Sequence, residues 1–108
     1  MTRCNLQVTI INVIEVRKTS LFEKWFTGLR DNDARWRIQA RIDRAEFGNT
    51  GDVKAVGEGV LEMRIHYGSG YRIYFVQRGN ELIILLVGGD KGSQEKDIKK
   101  AQQLARDL

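Results

Sequence analysis

Four side chains able to handle a phosphate or a proton fall in one stretch of this sequence. Arg64 and His66 alternate along an apolar run, Arg72 follows the turn Gly68-Ser69-Gly70, and Lys91 lies in the glycine-bounded loop Gly89-Asp90-Lys91-Gly92. Arginine's planar fork grips two phosphate oxygens at once and lysine acts as a point charge. Arg64, Arg72 and Lys91 together would therefore hold a phosphodiester and offset the charge that grows at its transition state. Such chemistry needs no metal. Cleavage of RNA also requires the 2′-hydroxyl to lose a proton and the 5′-oxygen to gain one. Histidine is the side-chain type that titrates near neutrality, which makes His66 a natural candidate. Tyr74, Glu62 or Lys54 could serve instead where cationic neighbours lower a pKa, and the sequence leaves the assignment of base and acid open. Plainer readings stand beside these. His66 would be a surface residue stacked on Arg72, Arg64 would pair with Glu62 in an exposed bridge worth under ~1 kcal/mol, and Lys91 would be a solvated turn.

The elements that must bring these residues together can be read from periodicity. Val8 to Val16 is rich in β-branched residues and predicts a first strand, with residues 1–7 before it disordered. Ser20 followed by Glu23 forms a capping-box pattern, after which Phe22, Trp25, Phe26 and Leu29 repeat at helical spacing. Asp31 or Asn32 caps a second helix, striped by Ala34, Ile38, Ile42 and Ala45 and stopped by Gly48. The same helix carries Arg35, Arg37, Arg41 and Arg44, which make either a solvated basic face or a surface for an acidic partner or RNA.

From Gly51 onward the period changes to two. Leu61, Met63, Ile65 and Tyr67 alternate with Glu62, Arg64 and His66. A three-residue Gly68-Ser69-Gly70 loop would pair Tyr67 with Tyr71, His66 with Arg72 and Arg64 with Tyr74, placing the last four of these on one face. Gly79-Asn80 turns the chain into the apolar run Leu82 to Gly88, whose far end returns beside Arg72 and delivers Lys91 to the same end of the sheet. Ser93 caps a final helix with Glu95 and Asp97 in its first turn and Lys99, Lys100 and Arg106 later. The order β-α-α-β-β-β-α predicts an α+β domain in which a helical hairpin and a C-terminal helix pack on a small antiparallel sheet.

Composition sets the outer bounds. At 108 residues and 42% hydrophobic, with no proline and no repeat at which to divide it, the chain is read as one domain, residues 1–108. A net charge of +4 favours acidic partners. Cys4 and His66, the only cysteine and histidine, exclude an internal disulfide and a Cys/His metal site, so no cofactor is expected. Nothing in the opening residues resembles a signal peptide or a membrane span, and the cytoplasm is the expected compartment.

Several motifs, in order, carry a family resemblance: Phe22-Glu-Lys-Trp25, Arg41-Ile-Asp-Arg44, Gly48-Asn-Thr-Gly-Asp-Val-Lys54, Glu62-Met-Arg-Ile65, Gly70-Tyr-Arg-Ile-Tyr-Phe75 and Gly88-Gly-Asp-Lys91. From Thr19 onward the chain closely resembles the RelE/ParE superfamily, and within it the HigB-like "addiction module killer protein" branch. The resemblance implies the toxin of a type II toxin–antitoxin pair. Its antitoxin would be a helix-turn-helix protein, through which alone it would meet operator DNA, and no membrane would be involved. Related toxins enter the ribosomal A site and cut messenger RNA without metal, using arginines and lysines on the sheet and the loop after it. The positions that match by motif are Arg64, Arg72, Lys91 and Lys54. The expected catalytic set is thus Arg64, Arg72, Lys91, His66 and Tyr74, with Lys54, Arg37 and Arg41 as RNA contacts. ParE-type relatives share the fold and inhibit DNA gyrase by binding, so that activity, or a non-catalytic module that only binds antitoxin, is the alternative.

Overall fold

The computed structural model describes residues 13–108. The expectations for residues 1–7, and for the first strand before Val13, fall outside the described residues. The elements are β1 (Glu15–Lys18), α1 (Ser20–Thr27), α2 (Asn32–Ala45), β2 (Val53–Ala55), β3 (Leu61–Ile65), β4 (Tyr71–Arg78), β5 (Leu82–Gly89), a 3-10 turn (Lys91–Ser93) and α3 (Gln94–Arg106). Among the described residues no helix is long and apolar enough to cross a membrane.

The strands form one sheet in the order β1-β5-β4-β3-β2, antiparallel throughout except where β1 joins β5 in parallel. A parallel neighbour needs a long crossover, and the helical hairpin supplies part of the connection between β1 and the rest of the sheet. Thr19 continues the pairing beyond β1: its N–H donates to Leu85 O at 3.0 Å and its hydroxyl to Leu86 O at 2.6 Å. The same hydroxyl accepts from Phe22 N at 3.1 Å, so Thr19 caps α1 in place of Ser20. Asp31 caps α2 as expected, accepting from the N–H groups of Asp33 and Ala34.

The helices cover both faces of the sheet. On one side Phe22 of α1 and Ile38, Ile42 and Ala45 of α2 pack on Met63, Ile65, Ile73, Phe75, Ile83 and Leu85. Each large side chain fully removed from water here contributes roughly 1.5–3 kcal/mol. On the other side Ala101, Ile98, Leu104 and Ala105 of α3 pack on Val60, Tyr74, Val76, Leu86 and Val87. A bulge beside the Tyr74/Phe75 step leaves Leu86 without a partner in the register, and Leu86 and Val87 both belong to the α3-side cluster. The first turn of α3 meets this second face at the end of β5, beside the adjoining ends of β3 and β4.

Gly88 and Gly89 let one helix close on each face of that end. A Cβ on Gly88 would sit 2.1 Å from the Trp25 ring, and one on Gly89 would sit 1.8 Å from Asp97 Oδ2. Neither helix could keep its present approach over a larger residue.

Gly88→Ala is therefore expected to destabilise the fold by about 1–3 kcal/mol through overpacking against Trp25. Urea unfolding measures this. In a Trp25→Ala background the same substitution should cost much less, since the obstructing ring is gone.

Candidate functional site

The site is built on the β3–β4 ladder, and its register differs from expectation. Ile65 pairs with Tyr71, Arg64 with Arg72 and Glu62 with Tyr74. The hairpin loop takes five residues, 66–70, in place of three, which shifts the pairing by two positions. Tyr67 N donates to Ile65 O at 2.9 Å and Gly70 N to Tyr67 O at 3.1 Å, with Gly68 and Gly70 both at positive φ. A shift of two keeps every side chain on its expected face, where a shift of one would have turned each over. Arg64, Arg72 and Tyr74 thus still share a face, and the two arginines now stand directly opposite one another.

His66 leaves the group. It lies beyond the end of β3 in the loop, its Nε2 2.7 Å from Asp52 Oδ2 and 72% of its side chain exposed. The hydrogen bond from His66, acting against partial desolvation, holds the Asp52 carboxyl below its ordinary pKa. The expected pairing of His66 with Arg72 is corrected: the longer loop carries the imidazole to the Asp52 edge. Tyr67, expected opposite Tyr71 on the apolar face, lies in the same loop, its hydroxyl donating to Asp31 at 3.1 Å and its ring under the Arg37 guanidinium at 4.4 Å.

A buried carboxylate holds the remaining cations. Glu62 is fully inaccessible to solvent. Its Oε2 accepts from the Tyr74 hydroxyl at 2.9 Å and from the Gln94 amide at 2.7 Å. Its Oε1 accepts from Arg64 Nε at 3.2 Å and lies 3.9 Å from Arg72 Nε. Burial by itself would raise the Glu62 pKa. The hydrogen bonds from Gln94, Tyr74 and Arg64, with the charge of Arg72, outweigh it, and the carboxyl lies below its ordinary value. Periodicity places Glu62 on the polar strand face, as an alternative proton carrier or an exposed partner for Arg64; the Arg64 contact is present, and the carboxylate making it is buried. Its place two residues before Arg64 was the available signal; the pairing with Tyr74 follows only from the observed register.

Tyr74 is completely buried. Burial first, then the hydrogen bond to Glu62, raise its pKa above the ordinary tyrosine value, the reverse of the cation-lowered phenol expected from sequence. Its hydroxyl is spent on Glu62 and is not presented to a ligand. Arg72 is mostly buried, with Nη1 donating to Gly70 O at 3.2 Å. Arg64 is more open, 30% exposed.

Lys91 does reach this end of the sheet. Its backbone N–H meets Ser69 O at 3.4 Å, and Asp90 Oδ2 accepts from the Ser69 hydroxyl at 3.2 Å. The 3-10 turn is fixed by Asp90, whose carboxylate accepts from the N–H groups of Gly92 and Ser93, while Ser93 Oγ donates to Asp97 Oδ2 at 2.5 Å. Lys54, exposed on β2, pairs with Glu62 across the ladder and so stands on the same face.

Of the α2 arginines, Arg41 is built in. Its Nη1 donates to Arg64 O at 2.6 Å and its Nη2 to Thr50 O at 3.0 Å, bracing the strand backbone beneath Arg64. Arg37 sits beside Trp36, Arg44, His66 and Tyr67 around an open groove of about 270 Å³, away from Arg72. The site therefore presents Arg64, Arg72 and Lys91, with Lys54 on the same face, over one buried acid.

Three comparisons bear on this arrangement. The family model described as "Phage derived protein Gp49-like (DUF891)" matches residues 24–107. An uncharacterized protein of Haemophilus influenzae is 46% identical over 95 residues, spanning 88% of this chain and 96% of the relative. A free-state structure of a double mutant of the E. coli toxin RelE superposes with a TM-score of 0.68 at 11% identity, covering 85% of this chain and 97% of that one.

Two stability predictions follow from the acid and its phenol. Glu62→Ala should cost about 3–5 kcal/mol at neutral pH, because it strands Tyr74, Gln94 and two arginines without their acceptor. The folded pKa of Glu62 lies below its unfolded value, so its contribution is present above the ordinary 4.5 and drains away as pH falls through the folded value. The stability gap between wild type and Glu62→Gln in urea should accordingly narrow on acidification below pH 4.5. For Tyr74 the sign is opposite: its raised pKa adds stability below the ordinary value of 10, lost as pH rises above it. Tyr74→Phe should cost roughly 1.5–3 kcal/mol at pH 7. It should also weaken the alkaline decline in stability, followed by tyrosinate absorbance together with circular dichroism.

Proposed function

The chain belongs to the phage-derived Gp49-like family and has the RelE fold, and on that premise we propose that it is the toxin of a type II toxin–antitoxin pair that cuts messenger RNA on the ribosome. Within the superfamily, its motifs favour the HigB-like branch. The observation that carries the reading is the cross-strand pair Arg64 and Arg72 set over the buried Glu62, with Lys91 arriving from the following loop. Two forked cations and a point charge stand over Glu62, while the nearby Asp90 and Asp97 are engaged by the turn N–H groups and by the Ser69 and Ser93 hydroxyls. That suits a phosphodiester passing through a more highly charged transition state.

In this reading Arg64 and Arg72 hold the non-bridging oxygens and Lys91 adds charge to the phosphoryl group or leaving oxygen. Lys54, at the exposed end of the same face, contacts the RNA backbone. Tyr74 acts by fixing Glu62, while His66, turned to Asp52, lies outside the group that meets the phosphate. Arg41 supports Arg64 through its carbonyl, and Arg37 remains a candidate for a more distant RNA contact. The cognate antitoxin, expected to be a helix-turn-helix protein that carries the pair to operator DNA, would neutralise the toxin in the cytoplasm, with residues 1–108 acting as one domain.

Purified protein added to a reconstituted translation reaction should cut message only when ribosomes are present, within the A-site codon, as mapped by primer extension. Arg64→Ala or Arg72→Ala should each lower cleavage by about 10²–10³-fold. Intact message from protein that still arrests growth would overturn the reading, and inhibited supercoiling by DNA gyrase would replace it with the ParE-type activity.

A further inference from the structure

The two oxygens of the Glu62 carboxylate have different tasks. Oε2 is occupied by the fold: Tyr74 from the centre of the sheet and Gln94 from the first turn of α3 fix its position. Oε1 faces the arginines. Arg64 meets it through Nε, the inner edge of its guanidinium, and Arg72 turns the same edge toward it at 3.9 Å. Arg72 Nε is buried and has no hydrogen-bond partner, a condition rare in folded proteins.

Two guanidiniums directly opposite on an antiparallel ladder repel one another. A carboxylate beneath both inner edges offsets that repulsion and leaves the outer nitrogens of Arg64, and Nη2 of Arg72, for a ligand, while Arg72 Nη1 is held by Gly70 O. We propose that Glu62 is a positioning residue for oxyanion binding, aligning Arg64 and Arg72 by their Nε edges so that the outer nitrogens of Arg64 and Nη2 of Arg72 form one receptor for an RNA phosphate. The proposal rests on the reading of this end of the sheet as a phosphodiester site.

It also gives the unpartnered nitrogen a use. A phosphate bridging the two guanidiniums would offset their mutual repulsion and let Arg72 close by about 1 Å, enough to bring its Nε from 3.9 Å to an ordinary charged hydrogen bond on Oε1. Ligand binding and the Arg72–Glu62 contact then strengthen each other, because such coupling is reciprocal. Glu62 does not itself exchange a proton with substrate: it is sealed from solvent and already accepts three hydrogen bonds.

The test uses the whole chain and the NMR signals of the arginine Nε–H groups, titrated with a 2′-O-methyl RNA trinucleotide that cannot be cut. In wild type the Arg64 signal should be protected from solvent exchange, and the Arg72 signal should shift and gain protection as RNA binds. In Glu62→Gln, which keeps the shape and loses the charge, both signals should collapse into the bulk arginine envelope. Its RNA Kd should weaken by about tenfold. Ribosome-dependent cleavage should fall by about 10²-fold, mostly in kcat. Gln94→Ala, which removes one clamp and leaves the carboxylate, should show the same changes to a smaller degree and serves if Glu62→Gln does not fold. Protected signals and unchanged Kd in folded Glu62→Gln or Gln94→Ala protein would overturn the proposal. Signals lost in Glu62→Gln, with no RNA binding by wild type, would instead overturn the phosphodiester reading and retain Glu62 as the arginine anchor.

Discussion

A negative charge with no access to water organises this protein. The Glu62 carboxylate would be strongly disfavoured in the interior were it not met by a phenol, an amide and a guanidinium, with a second guanidinium nearby. Those donors come from β3, β4 and α3, so satisfying one acid fixes three elements relative to one another. The requirement runs both ways. Arg64 and Arg72 can face each other across the ladder because Glu62 lies between them, and Glu62 can be buried because they are there.

Steric detail at the end of β5 complements that electrostatic constraint. Gly88 admits the Trp25 ring on one face and Gly89 admits Asp97 on the other, so consecutive residues let helices close from opposite sides. The Gly89 approach brings the first turn of α3 down onto the sheet and so places Gln94 over Glu62. The Asp90-capped turn between β5 and α3 carries Lys91 to the hairpin loop. A pair of small residues whose role looks local thus sets the distance between a helix and the charged site.

The likeness to RelE at 11% identity shows how little of the sequence the fold itself demands. Burial pattern, one crossover through a helical hairpin, and a covered antiparallel ladder suffice for the architecture. Architecture alone therefore says little about activity, which rests on side chains rather than on the fold. At the candidate site these are cations held from beneath by an acid, with Arg72 further tied to the Gly70 carbonyl.

Much of this was legible from the residues in order. The stripe Ala34, Ile38, Ile42 and Ala45, the alternation through Leu61–Ile65 and the return of Leu82–Gly89 predict a helical hairpin on a sheet, because burial periodicity is a local property of the chain. The motifs around Arg64, Arg72 and Lys91 likewise indicated which cations would converge. The register did not follow, since it turned on whether the Gly68 loop took three residues or five, and both lengths satisfy the same alternation. Nor did the fates of His66 and Tyr74, one drawn to Asp52 and the other sealed beneath α3. By itself the sequence determined the apolar stripe of each helix and that Arg64 and Arg72 share a face of the sheet. Only the tertiary structure decided that Glu62 would be their common anchor, because burial, desolvation and hydrogen-bond partnership are set by chain segments distant in sequence.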